Sequence, residues 1–150
     1  MINFKIINKI LGSLLFLEAL LMIVCLGMAF VFGEDDILPF MVSIVVTVFF
    51  GFLFKYHGRN AENRLSRRDS FVVVTLSWLF FSLFGTMPFL FGGYIPSFTD
   101  AFFESASGFT STGSSIINDV KALPHGILFW RSLSQWLGGL GIVFFTIAIL

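Results

Sequence analysis

Thr110, Ser111, Thr112, Gly113 and Ser114 follow one another in the chain. Small hydroxyl residues around one glycine suit a line of backbone carbonyl oxygens aimed at a dehydrated cation. Gly113 can take positive φ and turn its carbonyl towards an axis without a Cβ clash. The hydroxyls add oxygen ligands or anchor the segment from behind. Residues 110–113 span at most ~13 Å when extended, room for a few stacked ion positions. The run contains no carboxylate, so a ring of Asp or Glu selecting divalent ions is not indicated. The competing reading is an ordinary Gly/Ser/Thr loop outside any membrane.

The neighbouring segments favour a loop at membrane depth. Residues 98–109 predict a short helix, with Ser97 as N-cap, Asp100 three residues on and Pro96 before it. About twelve residues at 1.5 Å rise give ~18 Å, roughly half the hydrocarbon thickness. The C-terminal carbonyls of such a half-span favour cations and repel anions. Long apolar segments flank it, 71–91 before and 126–150 after. Full span, half-span, Gly-containing polar segment and full span make a re-entrant loop. Irregular backbone is tolerated there only where it is buried in protein or lines a water-filled cavity.

Two further apolar spans come first, 10–32 and 37–54, with Pro39 in the first turn of the second. The chain divides into 1–69, a transmembrane helix pair with a basic loop, and 70–150, a helix, half-helix, loop and helix. The expected class is an all-α integral membrane protein. Residues 116–125 form a short polar return. The last helix is still apolar at Leu150 and carries no cap, as expected of an amino-terminal piece of a longer protein.

Orientation follows Lys and Arg in short loops. Lys5 and Lys9 precede the first span, and Lys55, Arg59, Arg64, Arg67 and Arg68 lie between the second and third. The intervening turn holds only acids, Glu34, Asp35 and Asp36. The amino terminus is therefore expected in the cytoplasm, with the half-helix entering from outside.

Charged residues inside spans need partners. Arg131 either snorkels outwards or pairs with Asp100 or Glu104; a pair that braces the half-helix is expected. Glu18 sits about 13 Å along its helix from Lys9 and calls for a polar partner in the full protein. Gly138, Gly139 and Gly141 read as a close-packing patch. Trp130 and Trp136 include a candidate interface anchor.

Composition agrees with a membrane protein. Of 150 residues, 57% are hydrophobic and 12% charged, against about 45–50% and about 25% in soluble domains. The single cysteine, Cys25, excludes an internal disulfide. His57 and His125 have no ligand set around them and read as interfacial residues. No H-E-x-x-H or other catalytic constellation occurs, so no enzyme is expected. No cofactor and no nucleic-acid partner are implied. The alternatives to a transporter are a non-conducting membrane anchor or assembly subunit, and a homotetrameric cation channel.

The segments SGFTSTGSS and FWRSLSQWLGGLGI together closely resemble the first pore repeat of Trk-type bacterial potassium uptake proteins, the TrkH/KtrB/HKT superfamily. The preceding helix pair resembles the extra pair of TrkH members. The resemblance implies potassium uptake at the inner membrane, with potassium as substrate. The filter would be the backbone carbonyls of Thr110, Ser111, Thr112 and Gly113. Asp100, Glu104, Ser114 and Arg131 would support it. Ser111 stands where a threonine is common, a swap that keeps the hydroxyl. The resemblance also implies further pore repeats in the same chain, a homodimer, and a cytoplasmic nucleotide-binding regulatory subunit.

Overall fold

The computed structural model describes residues 3–61 and 66–149, so Arg64 of the basic loop and Leu150 lie outside the described residues. The described residues are helical, without strands. The elements are α1 (Phe4–Phe32), α2 (Ile37–His57), α3 (Arg67–Gly85), α4 (Met87–Phe91), α5 (Phe98–Phe109) and α6 (His125–Ile149). A 3₁₀ turn, Val120–Ala122, interrupts the return from α5 to α6. Among the described residues, Phe4–Phe32, Ile37–His57 and Arg67–Phe91 are long and apolar enough to cross a membrane.

The surface is the inverse of a soluble protein. Val31, Leu38, Val45, Phe49 and Phe52 are each at least 63% exposed, while Ser43, Thr47 and Ser77 are buried. Without water at that depth, a buried hydroxyl gains by bonding a nearby carbonyl. Ser43, Thr47 and Ser77 do so one turn back, on Pro39, Ser43 and Val73, at 2.6–2.8 Å.

Helices α1 and α2 pack closely. A Cβ on Gly12 would lie 2.7 Å from the Gly51 carbonyl and 2.8 Å from the Lys55 nitrogen. Only a glycine lets the backbones approach so far. At the same end Asp69 is buried and closes a capping box with Ser66 at the start of α3. Its other carboxylate oxygen accepts from the Asn3 N–H at 3.0 Å. The basic residues of α1, α2 and α3 therefore collect at one end of the bundle.

The third span is not one helix. It breaks between Gly85 and Met87 because Pro88 has no N–H to offer the preceding turn. The Gly85 carbonyl, left without its usual intrahelical partner, accepts from the indole N–H of Trp130 at 3.0 Å. Trp130 is completely buried and meets the Phe109 ring edge-on. It is a core residue and no interface anchor; Trp136 is the exposed one, at 62%.

At the other end the acidic turn reaches across the bundle. Glu34 accepts from the His125 backbone N–H at 2.6 Å, and Asp36 from that of Ile127 at 3.2 Å. The free amides and positive dipole end of α6 are thereby capped by carboxylates from the α1–α2 turn. A Cβ on Gly126 would strike Asp36 at 2.2 Å, which explains the glycine there. The His125 ring completes the contact, 2.9 Å from Glu34 and stacked on Phe32 at 4.0 Å.

Candidate functional site

Helix α5 is the half-helix. Its bounds, Phe98–Phe109, are those expected, and Ser97 accepts from the Asp100 N–H at 3.5 Å. Two glycines seat its carboxyl end. A Cβ on Gly138 of α6 would lie 2.3 Å from the Phe109 carbonyl oxygen. A Cβ on Gly85 would lie 2.5 Å from the Phe109 ring. Gly138 thus meets the backbone of the helix end and Gly85 the Phe109 ring, against which Trp130 packs edge-on.

The chain after α5 does not run on as an extended strand. Ser111 has φ 55° and Gly113 φ 74°, with ordinary negative φ between them. Positive φ is costly for a residue with a Cβ. At Ser111 the hydroxyl is anchored by a 2.9 Å bond to the Gln135 carbonyl of α6. Left-handed residues alternating with right-handed ones turn successive N–H groups to one side.

Those N–H groups all go to α5. Thr110 donates to Ala106 at 2.9 Å, Ser111 to Gly108 at 2.9 Å, Thr112 to Ser107 at 3.0 Å and Gly113 to Ser107 at 3.4 Å. In a trans peptide the N–H and the preceding carbonyl point opposite ways. The carbonyls of Thr110, Ser111 and Thr112 therefore point away from α5. Among the described residues no hydrogen bond reaches them or the Gly113 carbonyl. Thr110, Thr112 and Gly113 are exposed.

Hydroxyls lock the back of the loop. Ser107 donates to the Ser114 carbonyl at 2.6 Å. The Thr110 hydroxyl lies 2.7 Å from the Ala106 carbonyl and 2.8 Å from the Thr112 hydroxyl.

Glu104 holds the exit limb. Its carboxylate is 1% exposed and ion-paired with Arg131, itself 24% exposed. It also accepts from the Ser115 hydroxyl at 3.0 Å and the Ile116 N–H at 3.1 Å. One carboxylate thus joins α5, the loop and α6. Asp100 is exposed and takes no part in this pairing.

Two contributors escaped the sequence reading. Ser107 looked like ordinary helix interior, yet its hydroxyl and carbonyl hold three loop residues. Gln135 stands one turn beyond Arg131 on the same face of α6, and that spacing was the available signal. Its side-chain nitrogen would meet a Cβ on Gly113 at 3.1 Å. The described residues contain no cluster of three or more His, Cys, Asp or Glu able to hold a metal.

Comparison with known proteins places this geometry. Residues 37–150 match the family model TrkH, described as a cation transport protein. The potassium uptake protein TrkH of Halomonas elongata is 38% identical over 149 residues, 99% of this chain and 31% of that protein. The TrkH of Escherichia coli K12 is 34% identical over the same share of each. The crystal structure of the potassium transporter TrkH from Vibrio parahaemolyticus matches with a TM-score of 0.92 at 36% identity, covering 99% of this chain and 32% of that one. The chain thus spans about a third of the length of these relatives. An all-helical membrane fold, a short helix packed between two longer ones and these matches together make the chain a member of the TrkH cation transport family, which consists of transporters and not enzymes.

Proposed function

We propose that this chain carries the first of four pore repeats of a potassium uptake protein of the bacterial inner membrane. Potassium would pass a filter made by the backbone carbonyls of Thr110, Ser111, Thr112 and Gly113. Asp100, Glu104, Ser114 and Arg131 were the expected supports; the contacts favour Glu104, Ser114 and Arg131, with Ser107 and Gln135 added. One observation carries the reading. The loop's N–H groups are drawn back to α5, which leaves a row of carbonyls without donors on residues that are exposed or, at Ser111, half-buried. Such a row suits an ion stripped of water.

One repeat supplies oxygens from one side only, so three further repeats would complete the ring. A cytoplasmic amino terminus is proposed from the cations gathered at one end of the bundle. A homodimer and a cytoplasmic nucleotide-binding regulatory subunit are proposed from the resemblance to Trk systems.

The test is Gly113→Ser in the complete protein. Serine adds a Cβ at φ 74°, against Gln135. Complementation of a strain deficient in potassium uptake, at low potassium with and without excess sodium, reads the result. Weaker growth that sodium aggravates is expected. Unchanged growth and ion preference would remove Gly113 from the filter.

A further inference from the structure

Glu18 lies in the middle of α1, 1% exposed, and neither carboxylate oxygen has a hydrogen-bond partner among the described residues. It faces a cavity of about 250 Å³ between α1, α3, α5 and α6. The walls are otherwise mostly apolar, formed by Leu17, Phe81, Phe109, Leu137 and the Trp78 ring. Ser77 also lines it, but its hydroxyl is already committed to the Val73 carbonyl at 2.6 Å. Among the described residues neither carboxylate oxygen accepts a hydrogen bond.

An intramembrane carboxyl without a donor marks a site whose ligand is elsewhere. The missing group must donate hydrogen bonds and match a negative charge. The remaining volume must be filled by something apolar. A dry cavity of about 150 Å³ accommodates benzene, so this one holds a ring with a short chain, or the stem of a long basic side chain. Charge-assisted bonds from an ammonium or guanidinium are the strongest available to a carboxylate in such surroundings.

We propose that this cavity is a binding site for an ammonium or guanidinium carried on an apolar stem, with Glu18 as the anion that receives it. The head has two sources. One is a lysine or arginine from another segment of the complete protein; the other is a free amphipathic amine. The site adjoins the pore helix through Phe109, directly before Thr110. It is separate from the carbonyl row and does not depend on the filter assignment.

The test uses the protein expressed from its complete reading frame, purified in detergent, with phenethylammonium as probe and 2-phenylethanol as neutral control. Thermal unfolding and tryptophan emission report binding, Trp78 being part of the wall. A saturable rise of several degrees with the amine, absent with the alcohol and weakened at least tenfold in apparent affinity by Glu18→Gln, establishes the free-amine source. Leu140→Trp keeps the carboxyl and fills the stem volume, so it should also abolish that rise. Infrared difference spectra of wild type against Glu18→Gln, without amine at neutral pH, read the carboxyl directly. Glu18→Asp, which shifts the band, replaces the glutamine variant if that one fails to assemble. An ionised carboxylate in protein that ignores the amine assigns the cation to the protein itself. A protonated carboxyl in protein that also ignores the amine overturns the proposal.

Discussion

Glu104 and Arg131 are ion-paired across the interface between α5 and α6, with the carboxylate almost fully enclosed and the guanidinium partly open. The same carboxylate binds the Ser115 hydroxyl and the Ile116 N–H. It joins the half-helix, the loop exit and α6.

Removing the cation should therefore cost more than removing the pair. Arg131→Leu leaves a buried carboxylate short of its ion partner, at about 3 kcal/mol by analogy with broken buried pairs. The double variant Glu104→Leu/Arg131→Leu should recover part of that loss while still releasing Ser115 and Ile116. Unfolding in mixed micelles measures the cycle. Additive losses would mean that the pair is energetically idle.

The glycines of α6 should differ sharply from one another. Gly138→Ala places a methyl 2.3 Å from the Phe109 carbonyl and must push α6 off the half-helix. Overpacking of this kind costs about 1–3 kcal/mol. Gly139→Ala meets the Ser111 hydroxyl only at 3.6 Å, an ordinary contact, and should be tolerated. Unfolding midpoints of the two variants side by side check the ranking.

The acidic turn should give the fold an acid-sensitive component. Hydrogen bonds from the backbone and ring of His125 hold the Glu34 carboxyl below its ordinary value. A depressed acid adds stability that is complete above the ordinary glutamate value of about 4.3 and is lost as pH falls through the lower folded value. Asp36 works in the opposite sense, because burial raises its carboxyl above the ordinary value. Its contribution is present below the ordinary aspartate value of about 3.9 and fades as pH rises through the higher folded value. Glu34→Gln should flatten the acid limb of a melting-temperature profile. An unchanged limb would exclude the Glu34–His125 contact as its source.

The two ends of the bundle should label from opposite sides of the membrane. With Cys25 replaced, a cysteine at Asp35 should react with an impermeant thiol reagent on intact cells, and one at Arg59 only after lysis. Equal reaction at both positions would defeat the proposed orientation.

The parts legible in the sequence were those whose signals are local. Ser97, with Pro96 before it and Asp100 three residues on, sets the start of the half-helix to the residue, because caps act within one turn. The spans followed from apolar length. The break at Thr86 leaves one local trace, Pro88, inside an apolar run whose length reads as a single span. The bonds of Glu34 to His125 and of Asp36 to Ile127 were not visible, since each joins residues 91 apart and leaves no periodic trace. The turn was read only as an orientation marker. Nor does any propensity place Ser111 at positive φ, where tertiary anchoring by Gln135 overrides the local preference.

The capping of α6 by the α1–α2 turn makes the first two helices a strut. Load on the loop passes through Glu104 to Arg131, up α6 to its amino end, and into Glu34 and Asp36. A repeat transplanted without residues 3–36 would begin its last helix with amides that Glu34 and Asp36 no longer cap. Any chimera that borrows this repeat must bring the acidic turn with it or supply another pair of carboxylates at the same height.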